Sequence, residues 1–381
     1  MRRRRGMWLV FAGVLFGLAA WLMLSGQGEE EAPAPARVEF PRRLRPQERT
    51  RMENRRTYVA PVARAPSDAG TEPLRPRDPV LAALPRGKGK SAVVIEANAL
   101  RHSPLGEMVL ECLMRRGSQG LEDFKQQTGV DPLQDLDRLI VSEEGIVLSG
   151  NFGDPRLKRS LQDQSRAAQD YGPGARLYEP PPESDLNTGR PRMARRAQPH
   201  VGLWNDQLLV IGESSSGVKD VLDRLEGRGS EDPPVLNESQ TYGEMYGVLS
   251  AALFQKLLPP EQQELAAKLA EVAENVELHV DASADFAMTA TIRGEDRDKV
   301  TDLGKSLGGA MSLARMKAQS EGNTRLAQLL DFAKVRPEGD SFQLEMAVPL
   351  EAIKQQLSFC REQQEAPPSE DALPPAPSPR P

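Results

Sequence analysis

The chain has 381 residues, a formal net charge of −6 and a hydrophobic content of 39%, with 5% aromatic residues. A chain of this length can hold two domains. Its acidic charge falls on residues 91–381, which argues against a nucleic-acid partner.

Residues 6–25 form an uncharged, apolar run that directly follows the four arginines Arg2–Arg5. A helix of about twenty residues spans roughly 30 Å of hydrocarbon, and a basic flank stays in the cytoplasm. We therefore expect residues 1–26 to form a single-pass anchor in the inner membrane, with the lipid bilayer contacting residues 6–25. The C-terminal part would lie in the periplasm or outside the cell. The alternative is a cleaved signal peptide, although the run is long for one and Leu24 occupies a position that requires a small residue.

The 32 prolines are concentrated in three segments, residues 27–90, 180–199 and 367–381. Proline-rich stretches without apolar periodicity cannot form long helices or central strands. They predict a disordered Pro/Arg-rich linker at 27–90, a flexible insertion at 179–199 and a disordered tail at 361–381.

The first globular segment, residues 91–230, alternates short strands and helices. Short apolar runs predict strands, and Ser or Asp followed by Pro predicts the start of a helix. The predicted strands lie at 92–97, 139–142, 146–149, 175–178, 200–204 and 207–211, and the predicted helices at 104–113, 121–128, 155–161 and 214–225.

The second globular segment, residues 231–360, shows a similar order and the clearest strand pattern of the chain. Val276, Leu278 and Val280 alternate with polar residues, as in a strand with one buried face. The predicted strands lie at 243–251, 276–281, 286–292 and 342–348, and the predicted helices at 252–258, 261–274, 294–321, 324–333 and 350–359.

Two alignments indicate an internal duplication. Residues 146–161 parallel 288–303 as a strand, a glycine turn and a helix, and residues 204–222 parallel 338–357 as a turn, a strand and a helix. The sequence therefore predicts an α+β fold made of two similar repeats, each an antiparallel sheet backed by helices.

Three segments resemble a family of membrane-anchored bacterial envelope proteins of uncharacterised function. They are GVDPLQDLDRLIV at 129–141, SGNFGDPRL at 149–157 and YGEMYGVLSAALFQKLL at 242–258. The resemblance extends over 91–357 as a pattern. It implies an exported α+β domain and supplies no catalytic residues.

The three histidines, His102, His200 and His279, are scattered and lack the spacing of a preformed metal site. Each is expected on the surface or in a hairpin. No metal or cofactor is predicted.

Two stretches, 89–91 and 304–306, end like the phosphate-binding loop of nucleotide-binding proteins. The glycine that this loop requires is replaced by Leu84 in one and by Lys299 in the other. No nucleotide partner is predicted.

Ser216 and Lys219 have the S-x-x-K spacing of a serine acyl-enzyme. The S-x-N triplet at 149–151 precedes this pair in the chain, and no K-T-G follows. The serine is therefore interpreted as the N-cap of a helix, and no catalytic residue is predicted.

Asp281, Ser283 and Asp285 are spaced like the start of a calcium-binding loop. Phe286 stands where that loop needs glycine, and Ile292 stands where it needs glutamate. We interpret the segment as a hairpin turn.

Cys112 and Cys360 are the two cysteines of the chain. An oxidising compartment would allow them to pair, but buried free thiols are common too. Both alternatives stay open.

These observations predict a non-catalytic interaction or scaffold module of the bacterial envelope, with another envelope protein as its partner. Two alternatives stay open: an envelope hydrolase whose site is assembled from scattered residues, and a binder of an apolar ligand. A cleft with converging titratable groups would favour the hydrolase, and an apolar cavity would favour the ligand binder.

Overall fold

The computed structural model describes residues 78–181, 199–250, 263–338 and 340–357, together with Leu253. The predicted anchor at 6–25 and the predicted tail at 361–381 lie outside the described residues, as do residues 27–77 of the predicted linker and residues 182–198 of the predicted insertion. No helix in the described part of the chain is long and apolar enough to cross a membrane.

The first repeat contributes seven strands and five helices to the described residues. They are α1 (Pro79–Ala83), β1 (Ala92–Ile95), α2 (Ala97–Arg101), α3 (Pro104–Thr128), β2 (Leu136–Ser142), β3 (Gly145–Gly150), α4 (Pro155–Gln164), β4 (Ala167–Asp170), β5 (Ala175–Glu179), β6 (His200–Trp204), β7 (Leu208–Gly212) and α5 (Ser215–Leu225).

The second repeat contributes five strands and four helices to the same described ranges. They are β8 (Met245–Ser250), α6 (Gln263–Val272), β9 (Asn275–Asp281), β10 (Phe286–Arg293), α7 (Arg297–Ser320), α8 (Thr324–Asp331), β11 (Ala333–Glu338), β12 (Ser341–Val348) and α9 (Leu350–Leu357).

All twelve strands belong to one antiparallel sheet in the order β11-β12-β10-β9-β8-β1-β2-β3-β7-β6-β5-β4. Outward from its centre, the first repeat runs β1-β2-β3-β7-β6 and the second runs β8-β9-β10-β12-β11. The two repeats thus share one strand order, and β5 and β4 extend the first. This arrangement confirms the α+β prediction of two helix-backed antiparallel repeats.

The two repeats join where β1 pairs with β8. Val93 lies opposite Gly247 at this seam, and a Cβ atom on Gly247 would stand 2.5 Å from the carbonyl oxygen of Ala92. The close approach of the two strands therefore requires glycine at this position.

Several helices begin after a residue whose side chain accepts a backbone hydrogen bond. Asp78, Ser103 and Asp154 each cap a helix that opens with proline, and Ser214 caps α5. Helix α3 ends at Gly129, which adopts the left-handed conformation at φ 75°. The starts predicted at residues 103–104 and 154–155 are confirmed.

A row of directly opposed residues crosses all twelve strands and defines the first face of the sheet. From β4 to β11 the row contains Gln169, Leu177, Gly202, Val210, Val147, Ile140, Val94, Tyr246, His279, Thr289, Glu345 and Lys334. The row is largely apolar in the first repeat and polar from His279 onward in the second.

Helices α1 and α5 cover the apolar half of the first face. Val80 of α1 packs in one core with Val218 and Leu222 of α5. Gly202 on β6 leaves room for α5, because a Cβ atom there would stand 2.9 Å from Cγ1 of Val218.

The opposite, second face carries apolar residues from α3, α4, α6, α7 and α9. Leu157 of α4 lies in the cluster under β5–β7, and Val300 of α7 packs with Phe342 of β12. Ile353 of α9 packs with Leu105 of α3.

The structure differs from the sequence prediction in five elements, one of which is the short helix α2, which was not predicted. The fold begins before residue 91, because α1 lies in the core with Val80 and Leu84 fully buried. The helices predicted at 104–113 and 121–128 form the single helix α3, and the edge strands β4 and β11 were not predicted. The helix predicted at 252–258 lies largely outside the described residues.

Candidate functional site

Ser216 and Lys219, the S-x-x-K pair, lie in the first turns of α5. Ser216 is exposed, and its hydroxyl donates a hydrogen bond of 3.2 Å to the Ser214 hydroxyl. The Lys219 ammonium group lies 6.0 Å from the ring centre of Tyr171. The capping oxygen belongs to Ser214, which accepts from the backbone of Gly217 at 3.1 Å. The interpretation of Ser216 as the N-cap is therefore wrong, because Ser214 caps the helix and Ser216 lies in its first turn.

His279 is buried at the polar half of the first face, with 1% of its surface exposed. Its Nε2 atom lies 3.0 Å from Oε1 of Glu277, and its Nδ1 atom lies 3.3 Å from the carbonyl oxygen of Tyr242. The Tyr242 ring stacks on the imidazole with centroids 3.7 Å apart. The expectation of a surface position is therefore wrong for His279, whereas its place in β9, which pairs with β10 across a tight turn, agrees with the expectation of a hairpin residue.

Glu277 joins His279 in this cluster. Burial raises the pKa of the Glu277 carboxyl, but hydrogen bonds from His279 and Gln240 and the charges of His279 and Arg293 outweigh it. The net result is a pKa below its ordinary value. Arg293 approaches Oε2 of Glu277 at 3.4 Å. The carboxylate therefore binds several structural partners at once.

Two ion pairs fasten the elements on the first face. Arg138 on β2 donates to both carboxylate oxygens of Asp78, at 2.5 and 2.8 Å, and thereby holds the start of α1. Burial alone would lower the pKa of Arg138, but the charge and hydrogen bonds of Asp78 raise it. Arg224 at the end of α5 pairs with Glu144 in the β2–β3 turn and donates to the carbonyl oxygen of Ala83 at 2.9 Å.

The calcium-like segment is a turn between β9 and β10. Ser283 donates to Asp281 through its backbone and its hydroxyl, and Asp285 accepts from the backbone of Leu350 at 2.7 Å. Within the described ranges, no group of three or more metal-ligating side chains converges on a point.

Cys112 on α3 takes part in a disulfide bond. Cys360, the other cysteine of the chain, lies outside the described residues.

The two edges of the sheet differ in how open they are to a further strand. At one edge, β11 carries Lys334, Arg336 and Pro337, and α7 packs beside it. Charged side chains and proline discourage the addition of a strand. The other edge is β4, whose sequence Ala-Ala-Gln-Asp contains no proline and one charge, and all four of its residues are exposed.

Among the described residues, no strand pairs with the outer side of β4. Tyr171 donates to the carbonyl oxygen of Ala175 at 2.9 Å, and Gln169 lies opposite Leu177 in the same register. Antiparallel ladders alternate inward and outward bonds, so Ala168 and Asp170 direct their backbone N–H and C=O groups away from β5. The open edge can therefore hydrogen-bond an added strand.

Sequence reasoning missed both the open edge and the His279 cluster. Strand β4 has no apolar alternation that could reveal it. The alternation in β9 places Glu277 and His279 on one face, but it carries no signal for the loop residues Gln240 and Tyr242 that cover them.

Comparison with protein-family models gives no match, and comparison with curated protein sequences gives none. Among solved structures, the chain is similar to one titled "Structure of crystal form I of TP0453". The two are 12% identical, with 74% of this chain and 96% of that chain covered and a TM-score of 0.37. A likeness at that level carries no argument about function.

Proposed function

We propose that the protein is a non-catalytic interaction module of the bacterial envelope that binds an extended segment of another protein along β4. The segment would add to the sheet as a further antiparallel strand. Backbone hydrogen bonds would provide affinity, and side chains on alternate positions would provide specificity.

The observation that carries this proposal is the contrast between the two sheet edges. Strand β11 has the proline and several charges that natural proteins use to block strand addition, whereas β4 is exposed along its whole length, has no proline and carries a single charge. Its outward-directed groups at Ala168 and Asp170 are the hydrogen-bonding sites that an added strand requires.

The contacts of the reactive-looking side chains support a non-catalytic role. Ser216 bonds a neighbouring serine, Asp281 accepts from the backbone of Ser283 within its turn, and Asp285 accepts from the backbone of Leu350 at the start of α9. Glu277 and His279 bond each other beneath a stacked tyrosine. Each of these groups has a hydrogen-bond partner within the fold.

The location in the envelope is part of the same proposal. The apolar run at 6–25 would anchor the chain, and the linker at 27–77 would hold the sheet away from the bilayer. Residues 129–141, 149–157 and 242–258 support membership of the anchored envelope family.

A C-terminal alkaline phosphatase fusion should be active and stay in the membrane fraction. A soluble product shortened by about 26 residues would instead indicate a cleaved signal peptide.

The binding mode can be tested by photocrosslinking in cells that make the full chain. A photoreactive residue at Gln169 should give a discrete crosslinked product, and the same residue at Lys334 on β11 should give none. Ala168→Pro should abolish the product at Gln169, because it removes an outward N–H group without removing a bond to β5. Ala168→Ser keeps that N–H group and should leave the product intact.

Two results would contradict strand addition at β4. One is a Gln169 product of equal yield in the Ala168→Pro and Ala168→Ser proteins. The other is an equal yield of product from Lys334. Circular dichroism of the purified variants would establish that each has kept its fold.

A further inference from the structure

A pocket of about 280 Å³ lies at the end of the apolar half of the first face. Trp204 forms one wall, Pro79 of α1 and Leu225 of α5 contribute apolar surface, and Arg86 and Arg224 contribute guanidinium groups. The pocket is separate from β4 and from the His279 cluster.

The walls of the pocket are held by contacts between distant segments. The indole N–H of Trp204 donates to Glu226 at 3.0 Å, which fixes the plane of the ring. Gly87 donates to the carbonyl oxygen of Pro233 at 3.1 Å, and Val235 donates to that of Pro85 at 3.0 Å. The pocket is therefore largely formed before a ligand enters.

Both arginines have a side-chain nitrogen that no acceptor among the described residues satisfies. Arg224 is 8% exposed, and its Nε atom has no hydrogen-bond partner within the described part of the chain. The Nε atom of Arg86 is likewise buried and unpartnered. Buried donors of this kind are costly unless an acceptor satisfies them, and each one calls for an explanation.

The hydrogen bonds that Arg86 makes within the described part of the chain go to neutral acceptors. Its Nη1 atom donates to the carbonyl oxygens of Ser230 and Asp232, at 2.7 and 3.3 Å, and these acceptors are neutral. The guanidinium group of Arg224 already forms an ion pair with the carboxylate of Glu144. Glu231 on the pocket wall is itself negatively charged and repels an anionic ligand. This repulsion favours the single charge of a carboxylate over the larger charge of a phosphate.

We propose that this pocket binds a compact carboxylate joined to an apolar group, with the carboxylate at Arg86 and Arg224 and the apolar group against Trp204. Guanidinium groups bind carboxylates through charge-assisted hydrogen bonds, and the indole face provides apolar contact. The carboxylate could belong to a small molecule or to the C-terminus of a peptide. The site does not depend on the proposed function of β4.

Binding can be measured by the fluorescence of Trp204 in the full chain, purified in detergent. The chain has three tryptophans, so a Trp8→Phe/Trp21→Phe background makes Trp204 the single reporter. The first probe is 3-phenylpropionate, with 3-phenylpropanol as its neutral counterpart. The second is a tripeptide ending in phenylalanine, as the free acid and as the amide.

Saturable binding of an acid without binding of its neutral counterpart supports the proposal, and the tighter of the two acids identifies the source of the carboxylate. Arg86→Gln should weaken binding about tenfold or more, because it removes the charge. Lys88→Gln removes the same charge from a side chain that is 92% exposed and should leave binding unchanged.

A second variant keeps the test decisive if the Arg86→Gln protein does not fold. Ala82→Leu narrows the pocket without changing charge and should block both acids. The proposal is overturned if neither acid binds, if acid and neutral counterpart bind equally, or if Arg86→Gln and Ala82→Leu proteins with native circular dichroism bind as tightly as the parent.

Discussion

The two repeats share one strand order and differ in what lies on the first face. In the first repeat the cross-strand row is apolar, with Val210, Ile140 and Val94 under α1 and α5. In the second repeat the same row continues as His279, Thr289, Glu345 and Lys334. The same strand order therefore supports an apolar core in one half of the sheet and polar residues in the other.

The last helix of each repeat accounts for much of this difference. Helix α5 starts at Ser215, after two residues that follow β7, and packs on the first face. Helix α9 starts at Leu350, after the single residue Pro349 that follows β12, and packs on α3 at the second face. Successive strand residues point to opposite faces, so a change of one residue in the connection can direct a helix to the other side.

The largest expected effect comes from placing a charge in the apolar half of the row. Val210→Asp should prevent folding, because it buries an unpaired carboxylate beneath α5. Gln169→Asp lies on the same row at the exposed end and should fold normally. Far-ultraviolet circular dichroism and urea unfolding of the full chain would measure both, and a folded Val210→Asp protein would contradict the assignment of the apolar half.

A smaller loss of folding stability is expected when the ion pair that holds α1 to the sheet is removed. Arg138→Ala leaves the Asp78 carboxylate without its bidentate partner and should lower the free energy of unfolding by about 3–5 kcal/mol. Lys354→Ala removes an exposed pair with Glu351 and should cost at most about 0.5 kcal/mol. Equal effects of the two changes would show that the buried pair does not hold α1.

The polar half can be examined through its pH dependence. The folded pKa of Glu277 lies below its ordinary value, so the carboxylate stabilises the fold above about pH 4.5 and this contribution is lost as pH falls. Glu277→Gln should lower the free energy of unfolding by about 1–3 kcal/mol at neutral pH.

The same variant should lose less stability than the parent between about pH 5 and pH 3, because one acid-sensitive group is missing. Chemical unfolding at a series of pH values would measure this. Parallel curves for parent and variant would contradict the role given to Glu277.

The smallest expected change in stability concerns the two serines Ser214 and Ser216 at the start of α5. Ser214→Ala removes the capping oxygen and should cost about 1 kcal/mol. Ser216→Ala should change the free energy of unfolding by less than about 0.5 kcal/mol and leave crosslinking at Gln169 intact. A folded Ser216→Ala protein that loses the crosslink would contradict the non-catalytic role. It would favour the alternative that Ser216 and Lys219 form a catalytic pair.

Local patterns predicted the features of the fold that depend on neighbouring residues. The alternation in β9 and β10 predicted both strands, Ser103 and Asp154 predicted two helix starts, and Asn205-Asp206 formed the expected turn with positive φ. These signals depend on backbone geometry within a few residues.

Features that depend on distant contacts were not predictable in this way. Strand β4 has no alternation, and α1 lies in a Pro/Arg-rich stretch whose Leu84 becomes buried only against the first repeat. Period-two alternation shows that Glu277 and His279 share a face, but it does not show whether another segment covers that face. The pocket combines Pro79, Trp204 and Arg224, which are far apart in the chain.

The central claim, that β4 is the binding edge, is tested most directly by backbone hydrogen exchange of the full chain. Exchange of the segment containing Ala167–Asp170 would be compared between native membranes and protein purified in detergent. We predict slower exchange of this segment in native membranes, with exchange in Ala333–Glu338 unchanged. Equal exchange of the β4 segment in both preparations would contradict the account.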